Sequence, residues 1–265
     1  MVHAKKSLGQ NFLNSKTVAK EIVRAGELSS VDTVLEIGPG KGFLTSELLA
    51  SGAHVIAVEK DDRMIPLLSE KFADEIKNGK LTLLHGDILE KIEDGKIALP
   101  LRYKLVANIP YYLTGQIIRM FLEAELKPER MILMVQKEVA TRIVARDKKE
   151  SILSIAVKVY GSPHIIKKVP ARYFTPAPKV DSAILSIENI SAKSFQGPVS
   201  EKLFFDVVRA GFAHKRKVLA GNLKDLFGEK IISILEEVCV PTNARAEDLS
   251  LKNWLDITSM YQPQK

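Results

Sequence analysis

A doubly wound, mainly parallel α/β sheet followed by a small all-helical domain is the fold expected of this 265-residue sequence. Two observations predict it. Up to about residue 136, short β-branched or leucine-rich runs alternate with segments of helical spacing, the pattern of a parallel sheet with helices on both faces. Beyond about residue 199 helical periodicity dominates. A hydrophobic content of 46% suits one large core and one small one, so disorder is not expected.

Asn14 stands where it can cap a helix from about Ser15 to Ala25, closed by Gly26, so a basic helical arm precedes the first strand. Strands are expected at Thr33 to Ile37, His54 to Val58, Leu81 to Leu84, Tyr103 to Ala107 and Met131 to Val135. Between them Leu44-Leu48-Leu49, Ile65-Leu68 and Ile117-Ile118-Phe121-Leu122 fall at helical spacing. Pro170, Pro176 and Pro178 stiffen a loop, and the alternation from Val180 to Ile187 reads as a late strand. Gly197 and Pro198 mark a linker that divides residues 1–198 from 199–265. The second domain draws its helices from Leu203-Phe204-Val207-Val208, Val218-Leu219-Leu223-Leu226, Ile231-Ile232-Leu235-Val238 and Leu251-Trp254-Leu255.

Cys239 is the only cysteine, which excludes an intrachain disulfide and a cysteine-based zinc cluster and suits a reducing compartment; a buried helix position is expected for it. The first residues lack an apolar signal region, and no eighteen apolar residues run uninterrupted, so a soluble, cytoplasmic monomer without membrane contact is expected. The net charge of +7 points to an acidic partner. Its placement is uneven: residues 137–180 carry ten Lys/Arg against only Glu138, Asp147 and Glu150. Arg142, Arg146, Lys148 and Lys149 in that stretch, with Arg209, Lys215, Arg216 and Lys217 further on, are the candidate phosphate contacts.

The chemistry is expected where expected strands end, because ligands of such sheets bind outside the carboxyl ends. Asn108-Ile109-Pro110-Tyr111 follows the run Tyr103 to Ala107. The Asn108 side-chain oxygen and the Pro110 carbonyl suit the two hydrogens of an adenine amino group, while Tyr111 suits its ring face. Gly38-Pro39-Gly40-Lys41-Gly42 leaves the first strand and opens a helix, a place for close backbone approach. Phe43 replaces the third small residue of a dinucleotide loop, which argues against a diphosphate. Glu59, about twenty residues on, is placed to accept from ribose hydroxyls, and Asp87 from an adenine amine, although strand-end acids also serve as caps. A nucleoside with an amino acid at its other end satisfies the set, as S-adenosylmethionine does. No metal is implied.

These residues, in this order, resemble the small-subunit ribosomal RNA adenine N6,N6-dimethyltransferases of the KsgA type, whose fold is a Rossmann-like methyltransferase sheet. The likeness runs from Lys6 to about Ile257 and includes Ser7-Leu8-Gly9-Gln10-Asn11-Phe12-Leu13, Gly86-Asp87-Ile88, Phe174-Thr175-Pro176-Ala177-Pro178 and Asn243-Ala244-Arg245-Ala246-Glu247. It implies that Asn11, Leu13, Gly38, Glu59, Asp87 and Asn108 contact S-adenosylmethionine. It also implies that Tyr111 and Phe174 sandwich an extruded adenine and that the substrate is two adjacent adenosines near the rRNA 3′ end, within a small subunit or its precursor. The macrolide-resistance type of large-subunit rRNA adenine methyltransferase shares the cofactor motifs, but the Asn243 to Glu247 segment favours the small-subunit type. A noncatalytic RNA-binding assembly or transcription factor on this fold is disfavoured by the intact Gly38, Glu59, Asp87 and Asn108. A nicotinamide-dependent oxidoreductase is disfavoured by Phe43 and by the want of a proton-relay histidine, since His54 and His85 read as structural.

Overall fold

A computed structural model describes residues 4, 5, 8–93, 95, 97–197 and 199–261; Lys6 and Ser7 of the N-terminal motif and Pro198 of the expected linker lie outside them. In chain order the strands are β1 (Phe12–Leu13), β2 (Thr33–Ile37), β3 (His54–Glu59), β4 (Leu81–His85), β5 (Lys104–Asn108), β6 (Arg130–Gln136), β7 (Ser162–Val169), β8 (Phe174–Thr175) and β9 (Ser182–Glu188). The helices are α1 (Lys16–Ala25), α2 (Phe43–Ala50), α3 (Met64–Lys71), α4 (Ala73–Lys77), α5 (Ile88–Glu93), α6 (Thr114–Glu123), α7 (Lys137–Val144), α8 (Ile152–Lys158), α9 (Glu201–Gly211), α10 (Leu219–Phe227), α11 (Ile231–Glu237) and α12 (Leu251–Ser259).

Seven strands form one sheet in the order β4-β3-β2-β5-β6-β9-β7. The first five are parallel, β9 runs against β6 and β7 runs against β9, so the expected doubly wound sheet ends in two antiparallel pairings. Residues 34–37, 55–59, 105–107 and 131–135 are buried, as strands covered on both faces must be. The winding reverses between β2 and β5, the switch point at which such sheets open a crevice.

The edge strand β7 was not legible in the sequence. Its Pro163, Lys167 and Lys168 break any apolar alternation, and an edge strand, unpaired on one side, tolerates both proline and lysine. β1 and β8, two residues each, pair with each other and join the N-terminal arm to the loop after Pro170. The cap of α1 also differs: Ser15, not Asn14, accepts the Val18 N–H, while Asn14 donates to the Thr175 hydroxyl.

The division of the chain differs from 1–198 and 199–265. One compact unit comprises Met1–Ala140 with Ser162–Ile190, and the other Thr141–Gly161 with Ser191–Lys265. The second unit claims the earlier segment because Tyr160 packs against Phe195 and Phe205 and its hydroxyl donates to Glu201. Gly211 is required there by space, since a Cβ would lie 2.3 Å from the Trp254 ring. Cys239 is not the buried helix residue expected: it is exposed, in left-handed backbone just after α11. The Cys239 and Val240 N–H groups close that helix end on the Glu236 and Leu235 carbonyls.

Candidate active site

Four parallel strands deliver the candidate residues to one edge. Gly38 follows β2, Glu59 ends β3, Asp87 follows β4 and Asn108 ends β5. They line a cavity with Leu8 to Leu13 of the arm and Ile109 to Leu113. Its volume, about 110 Å³ measured to the centres of water-sized molecules, is several times what one water needs.

The glycine loop is shaped by contact. Gly38, Gly40 and Gly42 all have positive φ, at 68°, 56° and 68°. A Cβ on Gly40 would meet the Phe12 ring at 2.9 Å, and one on Gly42 the Phe72 ring at 2.5 Å, whereas at Gly38 nothing lies within 4 Å. Gly40 and Gly42 therefore pack against the protein, while Gly38 leaves room for a ligand to reach the backbone.

Glu59 is 5% exposed, and its two carboxylate oxygens accept the N–H groups of Gly40 and Asp61, each at 2.8 Å. These bonds hold both oxygens at the cavity wall with lone pairs to spare. Burial raises its pKa above the ordinary carboxylate value, against the two backbone donors. Glu36, which the sequence reading left without a role, also lines the cavity and is 1% exposed with Oε2 unpartnered. Burial, with repulsion from Glu59 added, pushes its carboxyl up to about 8, so it is mostly neutral at pH 7. A buried acid on a strand that sequence alone marks as apolar was the available signal.

Asp87 is not a free acceptor. Its Oδ1 takes the Leu89 N–H at 3.0 Å and its Oδ2 pairs with Lys60, another residue the sequence reading missed. The Pro110 carbonyl, expected to stand open, accepts the Leu113 N–H at 2.9 Å, which leaves it one lone pair. Asn108 Nδ2 donates to the Asn11 carbonyl at 3.0 Å. A carbonyl only accepts, so the amide can have no other orientation, and Oδ1 is the atom left to take a hydrogen.

Tyr111 lines the cavity half-buried, with its hydroxyl 2.7 Å from the Ser182 hydroxyl. Ser182 is fully buried, so Tyr111→Phe should cost about 0.5–1.5 kcal/mol of stability, measurable as a lower denaturation midpoint. The ring face survives that change. If the ring stacks on a base, as the resemblance implies, Tyr111→Ala should in addition remove about 1–3 kcal/mol of that stacking, visible as weaker binding of a short adenine-containing RNA. If Tyr111→Phe weakens that binding as much as Tyr111→Ala does, the ring face is not the contact.

Phe174 does not join this group. It is 3% exposed, packed in the core opposite Leu13, and lies outside the cavity lining. The geometry makes it a core aromatic and does not support the expected sandwich. Tyr112 instead stands 62% exposed in the lining, against Gly9.

The candidate phosphate contacts fall together in the second unit. Arg142, Arg146, Lys148, Lys215, Arg216 and Lys217 are exposed, and none has an ion pair among the described residues. Lys149 and Arg209 are committed, the first to Glu247 and Asp248 and the second to Asp206. Asn222 anchors the turn that carries Lys215 to Lys217 by donating to the Gly211 and His214 carbonyls.

The family model for ribosomal RNA adenine dimethylase matches residues 1–263. A relative from Dehalococcoides mccartyi, named ribosomal RNA small subunit methyltransferase A, is 43% identical over 97% of this chain and 88% of its own. Among solved structures, a dimethyladenosine transferase from Plasmodium falciparum superposes with a TM-score of 0.79 at 26% identity, covering 93% of this chain and 95% of that one. The 23S rRNA methyltransferase ErmE has the same fold, with a TM-score of 0.75 at 24% identity over 94% of this chain and 98% of its own. Among the described residues no helix is long and apolar enough to cross a membrane.

Proposed function

The chain belongs to the ribosomal RNA adenine dimethylase family, and on that premise we propose that it dimethylates N6 of two adjacent adenosines in a hairpin loop near the 3′ end of small-subunit rRNA, with S-adenosylmethionine as the donor. The orientation of Asn108 is the observation that carries the reading. With Nδ2 committed to the Asn11 carbonyl, Oδ1 is the acceptor that remains for a planar amine.

The cavity suits the donor. Buried Glu59 offers fixed acceptors for ribose hydroxyls, Gly38 an open backbone for the amino acid end, and Asp87 an acceptor for an adenine amine once its Lys60 partner makes way. Asn11 and Leu13 form the arm side of the same wall. When bound, S-adenosylmethionine supplies an electrophilic methyl group on a cationic sulfur.

The protein's task is to present a poor nucleophile. The N6 lone pair of adenine is delocalised into the purine, and hydrogen bonds from the amine to Asn108 Oδ1 and to the remaining Pro110 lone pair favour the pyramidal form that frees it. Tyr111 holds the ring by stacking. Positioning and hydrogen bonding to the developing charge then do the work. No carboxylate base is required, because the methylated ammonium-like product is acidic enough to lose its proton to water. A stacked base cannot reach the pocket, so the substrate is unpaired or extruded.

The test is to incubate the protein and labelled S-adenosylmethionine with unmethylated small subunits or precursors and to map the products by mass. Dimethyladenosine at two neighbouring positions is expected. Methylation confined to large-subunit RNA would overturn the substrate assignment, and failure to bind the donor would leave a noncatalytic RNA-binding role.

Docking is assigned to the unpaired cations of the helical unit, which contact phosphates and leave base choice to the pocket. Replacing Arg216 and Lys217 together by alanine should weaken small-subunit binding and lower its logarithmic salt slope by about one unit per lost contact. Donor affinity should be unchanged. Parental affinity and slope in the double variant would place docking elsewhere.

A further inference from the structure

The N-terminal arm is fastened over the cavity by side chains that none of the roles above uses. Gln10 Nε2 donates to Asp61 Oδ2 at 2.8 Å, and Gln10 Oε1 accepts the Lys5 N–H at 2.8 Å. The Asp61 side chain is fully buried, and Arg63 donates to it through its backbone N–H, Nε and a terminal nitrogen. Those donors hold its carboxyl well below the usual carboxylate range, so it stays ionised at any working pH. Asp61 also gives its own N–H to Glu59, so one residue joins the arm to the acid placed for the ribose.

Past Gln10 the arm makes two contacts with the site. The Asn11 carbonyl receives Asn108 Nδ2, and the Phe12 ring lies against Gly40 with Lys41 Nζ 5.0 Å from its centroid. The Asn11 carbonyl is the group that sets which end of the Asn108 amide is left open. Its position depends on the arm being seated, after Asn11 by the pairing of Phe12 and Leu13 with β8 and before it by the Gln10 side chain.

We propose that Gln10 is a positioning residue for methyl transfer: clasped to Asp61, it holds the Asn11 carbonyl where it turns the Asn108 oxygen to the target amine. The inference rests on the function proposed above and adds a residue to it. Without the clasp the Asn108 amide is free to rotate, and a flipped amide offers the target a donor where it needs an acceptor.

Two variants test it, with the parental protein as the control for the function itself. Q10A should speed hydrogen exchange in residues 8–13 without RNA present. It should also slow single-turnover transfer roughly tenfold or more, the size expected for a lost hydrogen bond to a charged group, at saturating donor and subunits. Q10E sets a carboxylate against Asp61, with Lys5 and Arg63 also beside the Asp61 carboxylate. It should be as slow as Q10A at neutral pH and recover relative to the parent as the pH falls and the new carboxyl regains a proton to donate. A wholly structural role for Gln10 would lower stability or donor affinity and leave the single-turnover rate at saturation parental. Unchanged exchange in residues 8–13, a parental Q10A rate at saturation, or a Q10E defect that does not lessen on acidification overturns the proposal. A parental protein that transfers no methyl group, with exchange faster in Q10A, would instead overturn the proposed function and leave the clasp standing.

Discussion

Asn108→Ala is expected to slow single-turnover methyl transfer about 10²–10³-fold, the usual consequence of removing one preorganised hydrogen-bonding group from a transition state. Asn108 ends β5 beside β2, at the reversal of strand order, and its amide is held by the Asn11 carbonyl. Alanine deletes the acceptor proposed for the reacting amine and also leaves that carbonyl without its donor. Small-subunit binding should change little, because the free cations lie in the helical unit. Asn108→Asp separates the two losses: the carboxylate still accepts from the amine but cannot donate to Asn11, so two acceptors face each other. Its rate should lie below that of the parent even though the acceptor is retained. A folded Asn108→Ala protein with an unchanged single-turnover rate would exclude the mechanism.

Glu59→Ala should weaken S-adenosylmethionine binding by roughly 1.5–3 kcal/mol, the value of a charge-assisted hydrogen bond, which is about 10- to 150-fold in the dissociation constant measured by calorimetry. The loss has two sources. The acceptors proposed for the ribose hydroxyls disappear, and the Gly40 and Asp61 N–H groups lose their partner, so the glycine loop loosens. Glu59→Gln should fall between, since its single oxygen can serve only one of the two backbone donors. The raised Glu59 pKa adds a pH signature. Protonation removes the anionic acceptor, so affinity should fall as the pH drops toward that value, and in Glu59→Gln this dependence should disappear. The folding free energy of the unliganded protein runs the other way. A buried acid with a raised pKa favours the fold while protonated, and that contribution is lost as the pH rises through the folded-state value. Equal donor affinity in the parent and Glu59→Ala would show that the ribose is not held there.

Most of the fold was legible because β2, β3, β5 and β6 are buried on both faces and therefore appear as short continuous apolar runs with helical spacing between them. Three features escaped for physical reasons. β7 is an edge strand with lysines where apolar alternation would be sought. Cys239 occupies a left-handed helix-closing position rather than the helix itself. The helical unit takes residues 141–161 from the middle of the chain, and aromatic packing between segments distant in sequence leaves no trace in local periodicity.

For the site, sequence determined which chemistry is present: a glycine turn, an acid about twenty residues on, a second acid after the next strand, and an amide with an aromatic ring at the end of another. Each is a residue type at a strand end, and strand ends can be read from spacing. Only the tertiary structure decided which atoms are still free. It commits one Pro110 lone pair to Leu113, Asp87 to Leu89 and Lys60, and the Asn108 nitrogen to Asn11. It also withdraws Phe174 into the core and brings Glu36 to the cavity wall. Hydrogen-bond capacity is used up by whichever partner the fold brings within about 3 Å, and those partners stand up to 97 residues apart in the chain.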